Sequence, residues 1–327
     1  MIKYIGKCLL IEDENDRERV LVVGDLHLGY EGSLRESGVM IPVGIYKQIL
    51  NDFDEILEYL NKEGTGNRKD KWEINNVKVV NKKLINNVRS DSLAHEGDAE
   101  GYENHSGGVV NYGDKKILNK GIIKNKKFEK LNKIIILGDI KHEFGSILKE
   151  EWQEIGNFLG YLKEKCDEVV VIEGNHDKIL FPVLKKLGIE GRELYIWREF
   201  AFFHGNKKFK EIEEEEIKYW VMGHWHPAIV LTDGTKKEKY KCFLVGKFGG
   251  KEVIFVPSFF PLVEGSDARD LGVGGVWEFD LGKFDVLVVG EGYGFNRGVG
   301  DLRGYNFNRG VKSLGVLNFG KLGKLKC

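Results

Sequence analysis

Cysteine is scarce in this sequence, and the four that occur, Cys8, Cys166, Cys242 and Cys327, lie far apart with no Cys-x-x-Cys pair. This distribution argues against a thiolate zinc site and a disulfide framework, and it favours a reducing interior. Long apolar runs are missing as well, because charge interrupts Met1–Lys7 and no later run approaches the length of a membrane-spanning helix. We therefore expect a cytoplasmic, soluble protein with no membrane partner.

Neither sign of charge is in excess. Lys and Arg total 50 against 51 for Asp and Glu, which gives a formal net charge of -1 at pH 7. The balance gives no global signal for nucleic acid, so any such affinity must be local. The 327 residues can bury a sizeable core. We predict one main domain over residues 1–262 and a Gly-rich C-terminal extension over residues 263–327.

Strands and helices are predicted to alternate in the first half of the chain. Apolar runs predict strands at residues 4–12, 19–23, 133–137 and 168–172. Apolar residues at helical spacing predict helices over residues 45–60, 148–162 and 178–187. Asp177 is the predicted N-cap of the third helix. This alternation is typical of an α/β sheet.

The second half is predicted to consist mostly of short strands. They are expected at residues 193–197, 200–203, 219–222, 241–245, 252–256, 275–280 and 285–289. An octapeptide that begins at Gly292 recurs at Gly304 within a basic tail. We interpret it as a short duplication, and stacking of its aromatic and Arg side chains on single-stranded nucleic acid is the alternative.

Residues 61–132 differ from the rest of the chain. They are rich in Asn, Lys and Gly, weakly periodic, and too long for an ordinary connection in a compact domain. We predict an insertion that holds a small hairpin formed by residues 78–80 and 116–118. Its two histidines, His95 and His105, are expected to be solvated.

Polar side chains gather at the ends of the predicted strands. Six of the eight histidines directly follow such a strand: His27, His142, His176, His204, His224 and His226. Asp25, Asp139 and Asn175 occupy the same kind of position. A doubly wound sheet would bring all nine side chains to one edge, where open α/β sheets bind ligands. Imidazole, carboxylate and amide oxygen without thiolate suit divalent ions in open coordination.

Taken singly, these motifs leave a structural explanation open. Asp25 and His27 could be a turn aspartate and a surface histidine. The pair His224 and His226 is stronger evidence for a metal site, because alternate residues of an extended segment project the same way. Together the five junctions predict a two-metal hydrolytic site, since a pair of ions can bind a phosphate ester and activate water.

The same motifs resemble the calcineurin-like metallophosphoesterase superfamily in order and spacing. They are Asp25-x-His27, Gly138-Asp139, Gly174-Asn175-His176-Asp177, His204 and Gly223-His224-x-His226. The resemblance covers about residues 20–261 without the insertion. It implies a four-layer α/β/β/α sandwich with both metals at one end of its central sheets. Asp-Leu-His-Leu-Gly at residues 25–29, with Arg35, Gly38 and Pro42 after it, resembles the SbcD-related archaeal and ligase-associated branch.

The resemblance also implies roles for single residues. Asp25, His27 and His226 would bind the first metal, and Asn175, His204 and His224 the second. Asp139 would bridge two divalent ions, for which manganese is expected and iron, zinc or nickel are alternatives. His176 would meet the scissile phosphate and stabilise or protonate the leaving group, His142 would orient His176, and Asn175 would help to hold the phosphate.

These implications predict a two-metal phosphodiesterase, a nuclease that cleaves DNA or RNA through hydroxide held between the ions. A phosphomonoesterase, a small-molecule nucleotide phosphodiesterase and a non-catalytic interaction module on the same fold are the alternatives. The expected partners are single-stranded or duplex nucleic acid and proteins of DNA repair or RNA processing. The oligomeric state is left open.

Overall fold

The computed structural model describes residues 1–13, 15–40, 44–64, 130–142, 149–232, 235–271, 276–290 and 314–325. All of these residues belong to one compact unit. The predicted insertion hairpin, His95, His105 and the repeat after Gly292 lie outside them. Within the described residues, no helix is both long enough and apolar enough to cross a bilayer.

Among the described residues, the first sheet has six strands in the order β1-β2-β3-β4-β5-β6. They are β1 (Ile2–Ile5), β2 (Cys8–Glu12), β3 (Arg19–Val23), β4 (Leu131–Ile136), β5 (Cys166–Ile172) and β6 (Gly191–Arg192). Strands β1 to β3 are antiparallel, whereas β3 to β6 run parallel. The single strand predicted over residues 4–12 is therefore two strands, because the chain turns at Gly6 with φ 53°.

Four helices lie in the described residues: α1 (Tyr30–Glu36), α2 (Ile45–Gly64), α3 (Lys149–Lys165) and α4 (Phe181–Lys186). The predicted helices over residues 45–60 and 148–162 are confirmed by α2 and α3. Their apolar faces share one buried cluster with strand residues of the first sheet, so they cover one face of it. Helix α4 begins later than predicted, with Leu180 as its N-cap, so the predicted cap at Asp177 is wrong.

The second sheet has nine strands within the part of the chain that the structure describes. They are β7 (Leu194–Trp197), β8 (Phe200–Phe203), β9 (Tyr219–Met222), β10 (Pro227–Thr232), β11 (Lys237–Phe248), β12 (Lys251–Phe255), β13 (Ser266–Asp267), β14 (Asp285–Val289) and β15 (Val316–Lys321). Strands β13-β10-β11-β12-β9-β8-β7 form its main path, and β14 pairs with β11 and β15. The strands predicted at residues 241–245 and 252–256 are confirmed by β11 and β12, which pair as an antiparallel hairpin.

The two sheets pack face to face. Leu9 and Ile135 of the first sheet share a buried cluster with Phe202 and Phe243 of the second. This arrangement confirms the predicted α/β class with a central pair of sheets. In the described part of the chain, 3-10 turns and irregular segments cover the outer face of the second sheet, where the four-layer prediction places helices.

The strand predicted over residues 275–280 is wrong, since residues 276–280 form no strand. Trp277 and Phe279 alternate in the sequence as strand residues do, but they are buried against the outer face of the second sheet. Their rings stack at a centroid distance of 5.4 Å, and the Trp277 indole N–H donates to the Gly205 carbonyl. The alternation of apolar residues therefore arises because these side chains pack on the surface of the sheet, and the segment itself is not a strand of that sheet.

Strands from both sides of residue 262 lie in the second sheet, since β14 of the C-terminal extension pairs with β11. The division into residues 1–262 and 263–327 stays a prediction. Strand β15, which follows the repeat, was not predicted from the sequence pattern.

Candidate metal centre

Neighbouring parallel strands deliver the predicted site residues. In the first sheet, β3 leads to Asp25 and His27, β4 to Asp139, and β5 to Asn175 and His176. In the second sheet, β8 leads to His204, and the parallel β9 leads to His224 and His226. Because parallel strands end at the same edge of a sheet, both sheets present these side chains on one side of the sandwich.

The structure brings these side chains together in two clusters whose candidate ligand atoms all lie within 4.8 Å of one another. The first contains Asp25, His27, Asp139 and His226, and the second contains Asp139, His204 and His224. Asn175 joins the second, with its amide oxygen 3.0 Å from Nε2 of His204. All seven predicted metal ligands therefore meet around Asp139, the residue shared by both clusters. Their individual roles stay predictions.

Imidazole nitrogens face one another in the first cluster. Nε2 of His27 lies 3.2 Å from Nε2 of His226, which is 3.4 Å from the Asp25 carboxylate. Asp25 and His27 are buried, and Nδ1 of His27 makes no hydrogen bond within the described residues. A convergence of nitrogen lone pairs and carboxylate oxygens is the donor set that divalent transition metals prefer.

The second cluster orients His204 from behind. Nδ1 of His204 donates to the Leu137 carbonyl at 2.8 Å, which leaves Nε2 as the acceptor in the neutral ring. That Nε2 atom lies 3.3 Å from the Asp139 carboxylate and 3.0 Å from Nδ1 of His224. A backbone carbonyl behind a ligating histidine is a common way to fix which ring nitrogen faces a metal.

The two aspartates are held in the charged form. Burial alone would raise the pKa of the Asp25 carboxyl, but the imidazoles of His226, His204 and His27 outweigh it and hold that pKa below its usual range. Burial likewise opposes ionisation of Asp139, whose pKa is nevertheless lowered by the hydrogen bond from His204. Both carboxylates are thus available as anionic ligands.

The pKa values of the buried histidines are shifted in opposite directions. Burial lowers the pKa of His27 to about 3 and, together with the charge on His204, lowers the pKa of His224. Burial also disfavours protonation of His204, but Asp139 and Asp25 raise its pKa to about 9. The carboxylates therefore favour a positive charge on His204, whereas the lowered pKa values of His27 and His224 favour their neutral rings. This donor set fits a divalent ion, which would replace the proton on His204.

Four of the predicted ligands have a backbone conformation that most side chains avoid. His27, Asp139, His224 and His226 have φ of 43°, 45°, 65° and 41°. The left-handed conformation costs roughly 1–2 kcal/mol for a residue that carries a Cβ. Strain of this kind persists where the surrounding structure enforces it, which is characteristic of functional sites.

Close approach explains two glycines of the motifs. A Cβ on Gly174 would lie 2.1 Å from the Asp139 carboxylate, and one on Gly223 would lie 2.7 Å from the Asp25 carboxylate. Neither glycine has positive φ in the structure. Their role is therefore to let one loop pass beside a ligand carboxylate of another.

His176 lies beside the clusters and belongs to neither of them. Its backbone N–H donates to the Asp139 carboxylate at 3.0 Å, and its Nε2 is 3.8 Å from the other oxygen of that group. Its Nδ1 is 2.5 Å from the main-chain carbonyl of His142. A carbonyl can only accept, so Nδ1 carries a proton and Nε2 faces Asp139. The contact from the predicted orienting residue His142 is thus made by its backbone.

Asp177 joins two loops instead of capping α4. One carboxylate oxygen accepts the N–H groups of Ile140 and Lys141 at 3.0 and 3.2 Å, and the other accepts that of Gly174 at 3.0 Å. The carboxylate therefore clips the loop that carries Asp139 to the loop that carries His176. Sequence reasoning missed this role, because the partners are backbone atoms that leave no mark in the sequence.

We expect Asp177→Asn to destabilise the protein by about 1–3 kcal/mol, the usual cost of an unsatisfied buried donor. An amide has one acceptor oxygen, so its NH₂ group would face the N–H of Gly174. Urea unfolding at pH 6 isolates this effect, because burial and the charge of Asp139 raise the pKa of Asp177 to about 7 and the carboxyl is then mostly neutral. Exposed Asp270→Asn is the matched control, with a change within about 0.5 kcal/mol. Equal stabilities of the two variants would contradict the clip.

No family model and no curated protein matches the chain. Among solved structures, the nuclease MPE of Pseudomonas putida matches with 20% sequence identity and a TM-score of 0.34, over 49% of this chain and 68% of that one. A superposition of this quality leaves both fold and function to be argued from the geometry above. Membership of the SbcD-related branch stays a prediction.

Proposed function

We propose that this chain is a metal-dependent phosphodiesterase that cleaves polynucleotides. The observation that carries the proposal is the pair of clusters sharing Asp139, with Nε2 of His176 directed toward that shared carboxylate. Two adjacent cation sites with an acid-base group beside them are what in-line displacement at phosphorus requires. A non-catalytic module would have no need of strained backbone at four ligands.

The residues divide into two tasks. Asp25, His27 and His226 would hold one divalent ion, and Asn175, His204 and His224 a second, with Asp139 between them. When bound, the ions supply the positive charge that stabilises phosphate oxygens and lowers the pKa of water.

His176 would donate the proton that the leaving oxygen needs. Its Nδ1 proton is held by the His142 carbonyl, so Nε2 is the ring nitrogen that takes up and releases a proton. Nε2 lies on the side of Asp139, and a proton bound there can be donated to the departing oxygen. Asn175 is placed to add its amide group to the binding of the phosphate.

Accessibility favours a large substrate. His224 is exposed, and the side chains of His226 and His176 are 18% and 14% exposed. A polymer can therefore reach, from solvent, the edge of the sandwich that carries the predicted metal ligands. Sites for small molecules, in contrast, bury most of their ligand. We take the substrate class to be DNA or RNA, with manganese as the expected metal.

A panel of metals and substrates tests this proposal. Protein stripped with chelator and reloaded with manganese, iron, zinc or nickel is assayed on single- and double-stranded DNA, RNA, bis(p-nitrophenyl) phosphate and p-nitrophenyl phosphate. We expect polynucleotide and diester cleavage that needs added metal and is lost again on chelation. Loss of polynucleotide cleavage in His176→Ala protein purified in parallel excludes contamination. Preference for the monoester, with polynucleotides untouched, would refute the nuclease assignment.

A further inference from the structure

A buried carboxylate outside every motif lies behind the proposed acid. Glu151, in the first turn of α3, is 1% exposed. Its carboxylate oxygen accepts the backbone N–H of His142 at 3.1 Å and lies 3.8 Å from Nζ of Lys141, which is fully buried. The side chain passes so close to the loop after β3 that a Cβ on Gly29 would lie 2.5 Å from Cγ of Glu151.

These contacts continue to His176 through a single residue. The N–H of His142 is shared between Glu151 and the Leu28 carbonyl, which lies 3.1 Å away. The carbonyl of the same residue accepts Nδ1–H of His176. Glu151 and Leu28 therefore fix the backbone on one side of the His142 Cα, and His176 depends on the carbonyl on the other side.

Two buried carboxylates together immobilise this loop. Asp177 accepts the N–H groups of Ile140 and Lys141, and Glu151 accepts the next one along the chain. Three consecutive N–H groups are thus held by side chains from different elements. Asp139 precedes this stretch and the His142 carbonyl follows it, so the loop sets the distance between the shared ligand and the partner of His176.

We propose that Glu151 is a positioning residue for the reaction, because it holds the His142 peptide that orients the His176 ring. The proposal rests on the proposed function of His176 as proton donor. Glu151 acts through the hydrogen bond to the His142 N–H, and the ion pair that the same oxygen makes with Lys141 is a structural contact.

Two conservative variants separate the hydrogen bond from the charge. Glu151→Gln keeps the length and an acceptor oxygen for His142 but removes the charge. Glu151→Asp keeps a negative charge near Lys141 but withdraws the oxygen by one methylene from both the His142 N–H and the Lys141 ammonium. Because Asp keeps a negative charge near the helix N-terminus, we expect this variant to fold, which thermal unfolding would check.

Leaving-group dependence is the kinetic readout. Hydrolysis of a dinucleotide breaks a P–O bond and expels a nucleoside alkoxide, which needs the proton from His176, whereas nitrophenolate leaves without one. We expect Glu151→Asp to lower kcat on a dinucleotide by about 10–100-fold. This is the usual effect of losing a group that orients an active-site residue through hydrogen bonds without contacting the substrate. On bis(p-nitrophenyl) phosphate we expect a change of less than about threefold, with metal content unchanged by elemental analysis. Glu151→Gln should keep the wild-type rates on both substrates.

The reverse pattern, with loss in Glu151→Gln and retention in Glu151→Asp, would assign Glu151 to charge pairing and overturn the proposal. Equal losses of activity in both variants would also overturn the proposal. Wild-type ratios of the two rates in both variants would overturn it as well. Nitrogen-detected NMR of His176 in protein without added metal gives a readout that needs no turnover. The Nδ1–H tautomer should persist in wild type and Glu151→Gln and be partly lost in Glu151→Asp.

The NMR measurement also separates this proposal from the proposed function. Wild-type protein that hydrolyses neither substrate with any metal would refute the function, while the tautomer in the two variants would still decide whether Glu151 orients His176. An unchanged Nδ1–H tautomer in Glu151→Asp would overturn the positioning role even in an active enzyme.

Discussion

Replacing His176 with alanine is expected to lower phosphodiester turnover by about two to three powers of ten while both ions stay bound. The His176 ring belongs to neither ligand cluster, and its Nε2 faces the shared carboxylate at 3.8 Å. Its backbone N–H, which donates to Asp139 at 3.0 Å, survives the substitution. The variant therefore loses the proton donor without losing the contact that helps to hold Asp139.

The paired control for this variant is Asn175→Ala. The Asn175 amide oxygen lies 3.0 Å from Nε2 of His204, within the second cluster, so its loss should weaken metal binding. Elemental analysis and calorimetric titration with manganese would measure occupancy, and steady-state rates on a dinucleotide, whose alkoxide leaving group needs a proton, would measure turnover. Wild-type rates for His176→Ala would exclude the ring from proton transfer. Loss of metal in His176→Ala would instead make it a ligand.

The positions of the site residues could be predicted because they depend on a local pattern. An apolar run followed by glycine and a ligand-type side chain marks the end of a buried strand, and parallel strands end together. The structure places Asp139 after β4 and His224 after β9 in this way. The roles inferred by resemblance go further than this pattern, and they await the experiments above.

The network behind the site could not be predicted in the same way. Asp177 and the His142 carbonyl act on or through backbone atoms, and backbone atoms are identical at every position of a sequence. Glu151 left a weak signal, since it precedes Ile155 by four residues and therefore lies on the apolar face of α3. A charged residue on a buried helix face requires a partner, which the sequence alone does not identify.

Errors in the second sheet have a different origin. Strand β10 was missed although Asp233-Gly234, a common hairpin signal, stands between it and β11 in the sequence. The false strand over residues 275–280 arose because alternating burial on a sheet surface mimics alternating burial within a sheet. The spacing of hydrophobic residues thus identifies which side chains are buried. Which backbone groups form hydrogen bonds with one another depends on strands that are distant in the sequence.

Asp139→Asn should abolish binding of both ions, the largest effect expected of any single substitution in this chain. Asp139 is the one residue common to both clusters. Removing its charge costs roughly 4 kcal/mol per unit of opposite charge at about 4 Å and an effective dielectric constant of about 20. That corresponds to about a thousandfold in affinity. The amide still accepts the N–H of His176, so the loop itself should be preserved.

Asp25→Asn is the matched comparison, because Asp25 belongs to the first cluster alone. We expect this variant to keep one ion per chain and Asp139→Asn to keep none by elemental analysis. A second readout needs no metal: the hydrogen bond and charge of Asp139 raise the pKa of His204, so Asp139→Asn should lower it in an NMR titration. Two ions bound with unchanged affinity in Asp139→Asn would refute a shared ligand. The edge of the sandwich would then hold two independent sites, and in-line chemistry across a pair of ions would lose its structural basis.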